Sequence, residues 1–223
     1  MDEVRLIQIV EDIHADNELA ARALRSRLDD EKVFLVNLMS APGSGKTRTI
    51  LRTIAELQAS LRFGVIEADI DSKVDAEAVA AEGISAVQIN TGGFCHLDAT
   101  MVTQGLDQLE LADLDVVVIE NVGNLVCPAE FDTGAIKKVM ILSVPEGDDK
   151  PLKYPLMFSV CDVLLVNKID YLELSDFDMQ KLRERVRKLN PEIEIFELSA
   201  KTGQGVGEWA GWLSREAKSF LGC

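Results

Sequence analysis

At 223 residues, with 47% apolar and 27% charged residues, the chain is long enough for one full α/β domain and has the composition of neither a disordered segment nor a fibrous repeat. A formal net charge of −15 weighs against DNA and RNA, whose phosphate backbones are held by clustered Lys and Arg. A single nucleotide stays open, because a local nest of backbone N–H groups with one Lys holds phosphate whatever the global charge.

The first residues, MDEVRLIQIVEDIHADNE, lack the basic start and apolar run of a signal peptide. No stretch reaches about eighteen apolar residues, so a cytoplasmic chain without membrane insertion is expected. The four cysteines, Cys95, Cys127, Cys161 and Cys223, are then expected as reduced thiols, ligands or core residues rather than a disulfide framework.

From about Asp2 to Asp30, Val4, Ile7, Val10 and Ile13 share one face of an amphipathic helix, so residues 1–30 read as a helical appendage to a single domain over 31–223. His14 is expected on the surface of that helix. Seven short apolar runs follow: VFLVNLM from Val33, FGVIEA from Phe63, AVQIN from Ala86, DVVVIE from Asp115, VMILSV from Val139, DVLLVN from Asp162 and IEIFELS ahead of Ala200. Several are Val/Ile-rich without alternation and are separated by helix-like stretches. That pattern predicts a predominantly parallel seven-stranded sheet with helices on both faces. No Gly/Ser linker or repeat divides the chain, and the acidic turn EGDDK from Glu146 is too short to be a boundary.

Ser40-Ala41-Pro42-Gly43-Ser44-Gly45-Lys46-Thr47 ends the first strand and opens a helix, the context that a P-loop requires. Gly43 and Gly45 let backbone N–H groups approach a β-phosphate, with Ser44 and Arg48 beside them. Lys46 reaches the β and γ oxygens, and Thr47 offers a hydroxyl to Mg²⁺. The alternative is a Gly-rich turn that happens to precede Lys and Thr. Ser40 stands where the motif has its first Gly, which raises the question of its backbone angles.

Two acidic strand ends follow, Glu67-Ala68-Asp69 and Glu120-Asn121-Val122-Gly123, the second similar to a DxxG element with Glu for Asp. Among Asp69, Asp71 and Asp75, the first and last are favoured as switch residues near Mg²⁺, although acidic loop residues are most often solvated surface. Asn167-Lys168-Ile169-Asp170 resembles the guanine-specificity motif NKxD, in which the Asp carboxylate accepts from the guanine edge. Alone, such a strand end is commonly a turn. Ser199-Ala200-Lys201 after the last strand resembles the SAK guanine-contact loop and strengthens the reading.

Cys95 and His96 in GGFCHLD, with Cys127 in NLVCP, are placed by the sheet pattern at the same end as the P-loop. Thiolate and imidazole suit Zn²⁺ or Ni²⁺. Spacing alone favours thiols acting as small buried hydrophobes, because no CxxC is present. Cys161 reads as core and Cys223 as tail.

Taken together, the P-loop, VIEADIDSKVDAE, INTGGFCHLDA, IENVGNLVCPAEFD, SVPEGDDKPLKYP, NKID and LSAKTGQG resemble the HypB family of hydrogenase nickel-incorporation GTPases over nearly the whole chain after Val33. The resemblance implies a P-loop NTPase fold of the SIMIBI type and a Mg²⁺-dependent hydrolysis of GTP to GDP. It implies a homodimer formed with GTP, acting with another maturation accessory protein on the large subunit of [NiFe] hydrogenase. It places Lys46 and Thr47 at phosphate and Mg²⁺, Asn167 and Asp170 at guanine, and Cys95, His96 and Cys127 at Ni²⁺ or Zn²⁺. An N-terminal Cys motif or His-rich tract, found in some members, is absent, and Thr100 stands where many have His. The urease-accessory relatives carry a Cys-Pro-His motif that is not found here. A nucleotide-gated metal-binding module with incidental hydrolysis is the reading from a different class.

Overall fold

The computed structural model describes residues 9–69 and 79–222. Asp71, Asp75, Cys223 and the Val4, Ile7, Val10 and Ile13 side chains lie outside the described part. Seven strands are present: β1 (Phe34–Ser40), β2 (Phe63–Asp69), β3 (Ser85–Asn90), β4 (Val116–Glu120), β5 (Lys137–Ser143), β6 (Val163–Asn167) and β7 (Glu194–Glu197). The helices of the described residues include α1 (Ile9–Glu31), α2 (Lys46–Leu57), α3 (Ala99–Leu106), α4 (Cys127–Glu130), α5 (Lys150–Lys153), α6 (Pro155–Val160), α7 (Met179–Leu189) and α8 (Val206–Leu221).

The strands form one sheet in the order β3-β2-β4-β1-β5-β6-β7, and every pairing is parallel. All seven apolar runs read from the sequence are strands of this sheet. Parallel strands need covered faces, and β1 shows why its run does not alternate: all seven of its residues are buried. Phe34, Val36 and Leu38 pack with Ile50, Ile54 and Leu57 of α2 and Trp209 and Leu213 of α8. Leu35 faces the opposite side, with Leu24 and Leu28 of α1 and Val102 and Leu106 of α3. Each fully buried Leu or Ile contributes about 1.5–3 kcal/mol relative to exposure.

Polar contacts fix the helices on this scaffold. Asp98 caps α3 by accepting from the Met101 N–H at 2.7 Å. The Trp209 indole N–H donates to Thr53 Oγ1 at 2.9 Å, joining α8 to α2. Helix α1 is held by Asn17, whose amide donates to the Asp132 carbonyl at 2.9 Å and accepts from the Ala99 N–H at 3.0 Å. Among the described residues, no helix is long and apolar enough to cross a membrane. Because all strands run one way, the loops after β1, β3, β4, β6 and β7 leave the sheet at one edge, where open α/β sheets bind ligands.

Candidate functional site: a phosphate loop beside a Cys/His cluster

Ser40 is the last residue of β1 and is fully buried, and its φ lies outside the left-handed region. No glycine is needed there. Its hydroxyl donates to the Ala41 carbonyl at 2.8 Å and accepts from Ser44 Oγ at 2.5 Å and from Lys46 Nζ at 3.2 Å. The P-loop lysine is thus held at the loop's mouth by the residue that departs from the motif.

Gly45 carries φ 98° immediately before α2, which starts at Lys46. A Cβ at Gly45 would lie 2.7 Å from Asn167 Nδ2, so both the angle and the neighbour demand glycine. The first N–H groups of α2 have no intrahelical partner, and the sequence puts them where an anion can accept from them.

Asn167 joins three loops. It is buried, its Nδ2 donates to the Ser44 carbonyl at 2.8 Å, and its Oδ1 accepts from the Lys168 N–H at 2.7 Å and the Ala200 N–H at 3.0 Å. Lys168 adopts φ 63° and donates from Nζ to the Gly43 carbonyl at 2.7 Å. Asp170 Oδ1 accepts from Ser199 Oγ at 2.6 Å, and its other oxygen lies 3.8 Å from Lys201 Nζ. Gly43, Gly45, Asn167, Lys168, Asp170, Ala200 and Lys201, with Arg48 and Tyr171, line a cleft of about 270 Å³.

At the other side of the phosphate loop, Thr47 Oγ1 donates to Glu120 Oε1 at 3.0 Å. Glu120 is buried, and the β2/β4 register sets the buried Glu67 directly beside it. A hydroxyl and carboxylate oxygens form a hard donor set suited to Mg²⁺. The sequence names Glu67 within an acidic strand end whose carboxylates could meet Mg²⁺ but favours Asp69 there; it is the strand register that sets Glu67 beside Glu120. Asp69 is half-buried at the end of β2, opposite Asn90 of β3, on a strand separated from β1 by β4.

Cys95 and His96 follow β3 and Cys127 opens α4 after β4, and the fold brings all three together. The two sulfurs are 2.9 Å apart, Cys95 Sγ lies 4.0 Å from His96 Nδ1, and the three ligand atoms lie within 4.8 Å of one another. The His96 ring stacks on Phe131 with centroids 3.9 Å apart. Burial pushes the imidazole below its ordinary pKa, against the pull of Asp98 and Glu130, which favours the neutral ligating form. The contact with Cys95 and then burial push the Cys127 thiol up. Cys161 is buried in the core, where burial pushes its thiol up further. His14 differs from the surface reading: it is half-buried, with its ring 4.8 Å from that of Phe131, because α1 lies against this loop.

A parallel α/β sheet with a phosphate loop at its carboxyl edge and a Cys/His cluster in the adjoining loops defines a P-loop nucleotide-binding domain with a companion metal-ligand set. The sequence profile of the CobW/HypB/UreG nucleotide-binding domain matches residues 34–197. The chain is 46% identical over 221 residues to hydrogenase maturation factor HypB of Azotobacter chroococcum mcd 1, covering 99% of this chain and 72% of that protein. It is 44% identical over 216 residues to HypB of Escherichia coli K12, covering 97% and 74%. The crystal structure of HypB from Helicobacter pylori in complex with nickel superposes with a TM-score of 0.87 at 38% identity, over 92% of this chain and 96% of that one. The chain belongs to the HypB family of hydrogenase maturation factors.

Proposed function

We propose that the chain is a cytoplasmic GTPase that carries nickel during maturation of [NiFe] hydrogenase, working as a homodimer formed with GTP and with a second accessory protein. The observation that carries this reading is the convergence of Cys95, His96 and Cys127 within 4.8 Å beside the phosphate loop. The nickel complex of the Helicobacter pylori relative supports the metal assignment. Two sulfurs and one imidazole suit Ni²⁺ as cargo and suit Zn²⁺ equally. Exposed Phe94 and Val126 flank the cysteines and give the cluster an apolar rim on which a second copy can seat and complete the ligand shell.

Hydrolysis assigns a role to each group. Asp170 accepts from the guanine N1–H and amine, Ser199, Ala200 and Lys201 close the base pocket, and Lys168 holds the phosphate loop from the base side. Lys46 leaves Ser40 for the β and γ oxygens, and the N–H groups of Ser44, Gly45 and Lys46 surround the β-phosphate with the nearby Arg48. Water attacks the γ-phosphorus as the bond to the bridging oxygen breaks, giving GDP and phosphate. Asp69, with Asp75 as a second candidate, orients that water. Thr47 and Glu120 would hold Mg²⁺, which when bound neutralises charge developing on the phosphate oxygens.

The test is direct. Purified protein should turn over GTP in preference to ATP and lose turnover in Lys46→Ala. It should bind Ni²⁺ stoichiometrically and lose that binding in Cys95→Ser and Cys127→Ser. Equal use of ATP, or nickel binding that survives both cysteine substitutions, would overturn the reading.

A further inference from the structure

The two cysteines come from loops that follow β3 and β4, strands separated in the sheet by β2. A thiol contact is a weak hydrogen bond and cannot by itself hold two such loops in register. One side chain ties the stretches that carry the two cysteines. Asn124 Nδ2 donates to the Cys95 carbonyl at 3.2 Å, while its Oδ1 accepts from the N–H of Val126, the residue before Cys127, at 3.0 Å.

Three positions earlier, Asn121 anchors the other side of His96. It is fully buried, accepts from the Val122 N–H at 2.9 Å and the Leu97 N–H at 3.4 Å, and donates to Asn37 Oδ1 at 3.1 Å. His96 therefore sits between two tethered residues. Gly123, between the two asparagines, lies so close to the phosphate loop that a Cβ would come within 3.0 Å of Pro42 Cγ and 3.1 Å of its backbone.

We propose that Asn124 is the positioning residue of the Cys/His site, a clasp that holds Cys95 and Cys127 at ligating separation and passes movement of Pro42 to both through Gly123. The inference rests on Cys95, His96 and Cys127 being the metal site. The bond to Val126 is an ordinary local turn. The bond to the Cys95 carbonyl is different, because no turn requires it and it joins residues 29 positions apart. Without the clasp, the Asn121 tie at Leu97 remains, but an arriving metal must itself order the segments that carry Cys95 and Cys127, and affinity falls by the cost of that ordering.

The experiment measures Ni²⁺ affinity by competition with a chromophoric chelator, together with the sulfur-to-nickel charge-transfer band, in wild type, Asn124→Ser, Asn124→Ala and Cys95→Ser. Serine is short enough to keep the turn to Val126 and too short to reach the Cys95 carbonyl. Both Asn124 variants should bind Ni²⁺ roughly 10- to 100-fold more weakly, the loss typical of removing an outer partner of a metal ligand, with melting temperature and GDP affinity unchanged. If Asn124→Ala fails to fold, Asn124→Ser decides.

Wild-type nickel affinity in the Asn124 variants, with binding lost in Cys95→Ser, would overturn the clasp and leave the metal site standing. Wild-type affinity in Cys95→Ser as well would overturn the metal site itself. A parallel fall in GDP affinity would also overturn the clasp, by showing a general loosening. The ratio of nickel affinities with GDP and with a non-hydrolysable GTP analogue should move toward one in Asn124→Ser; the same ratio as wild type would overturn the link through Gly123.

Discussion

The Asn167 side-chain amide donates to the Ser44 carbonyl at 2.8 Å, so the loop after β6 braces the phosphate loop after β1. The same side chain accepts from the N–H groups of Lys168 and Ala200, so a single buried amide ties together the three loops around the cleft. Asn167→Ala should leave these groups with fewer partners and lower stability by about 1–3 kcal/mol, the usual cost of an unsatisfied buried polar group. GDP affinity should fall with it. A melting curve and a fluorescent-nucleotide titration check both, and an unchanged GDP affinity would show that the brace does not shape the cleft.

Gly45→Ala tests the same junction from the other side. The added methyl meets Asn167 Nδ2 at 2.7 Å and the backbone keeps φ 98°, so the loop must move or the amide must leave. A non-glycine residue in such a region costs on the order of 1–3 kcal/mol. Nucleotide binding should be lost while the sheet remains, measured by far-ultraviolet circular dichroism beside a nucleotide titration. Retained binding would mean that the loop accommodates the methyl without disturbing the phosphate cradle.

Asp170→Asn should leave the fold intact, because Ser199 Oγ can still donate to the amide oxygen that replaces the carboxylate it now meets at 2.6 Å. It removes a charged acceptor from the proposed guanine edge. The preference for GTP over ATP should drop roughly 10- to 100-fold, the worth of a hydrogen bond to a charged group. Competition of GDP and ADP for the same site reads this out, and an unchanged preference would remove Asp170 from base recognition.

Helix α1 makes a pH-dependent contribution through Arg25, which donates to both oxygens of Asp132 at 2.6 and 2.7 Å. Burial pushes the Asp132 carboxyl up, but the Arg25 bonds, the Gly134 N–H and the Lys138 charge outweigh it and hold the group below its ordinary value. A folded pKa below the unfolded one means that this stability is present above the unfolded value and is lost as pH falls through the folded one. Arg25→Ala should therefore cost about 1–2 kcal/mol at neutral pH, discounted for partial exposure, and progressively less below a pH of about 4. Urea denaturation of both proteins at neutral and acidic pH measures the difference; a cost that stays constant would contradict the assignment.

How much of this was legible in the residues themselves follows from the range of the interactions. The phosphate loop could be read because its mechanics lie within eight consecutive residues between a strand and a helix, and the seven strands because runs buried on both faces must be apolar throughout. That Asn167, Asp170 and Ser199 to Lys201 would lie near one another was readable because each ends or soon follows a strand at the same sheet edge.

Tertiary structure alone decided the rest. Spacing left Cys95 and Cys127 as candidate core thiols, since 32 residues of separation say nothing of distance; the order β3-β2-β4 and the Asn124 bridge bring their sulfurs to 2.9 Å. Glu67 became neighbour to Glu120 only through the β2/β4 register, which depends on how whole strands pack. Ser40 was a departure from a motif until burial gave its hydroxyl Lys46 and Ser44 as partners. The sequence determines which groups leave the sheet edge, because strand and loop periodicity are local. Which of those groups touch is set by strand order and register, because these are fixed by burying both faces of the sheet at once.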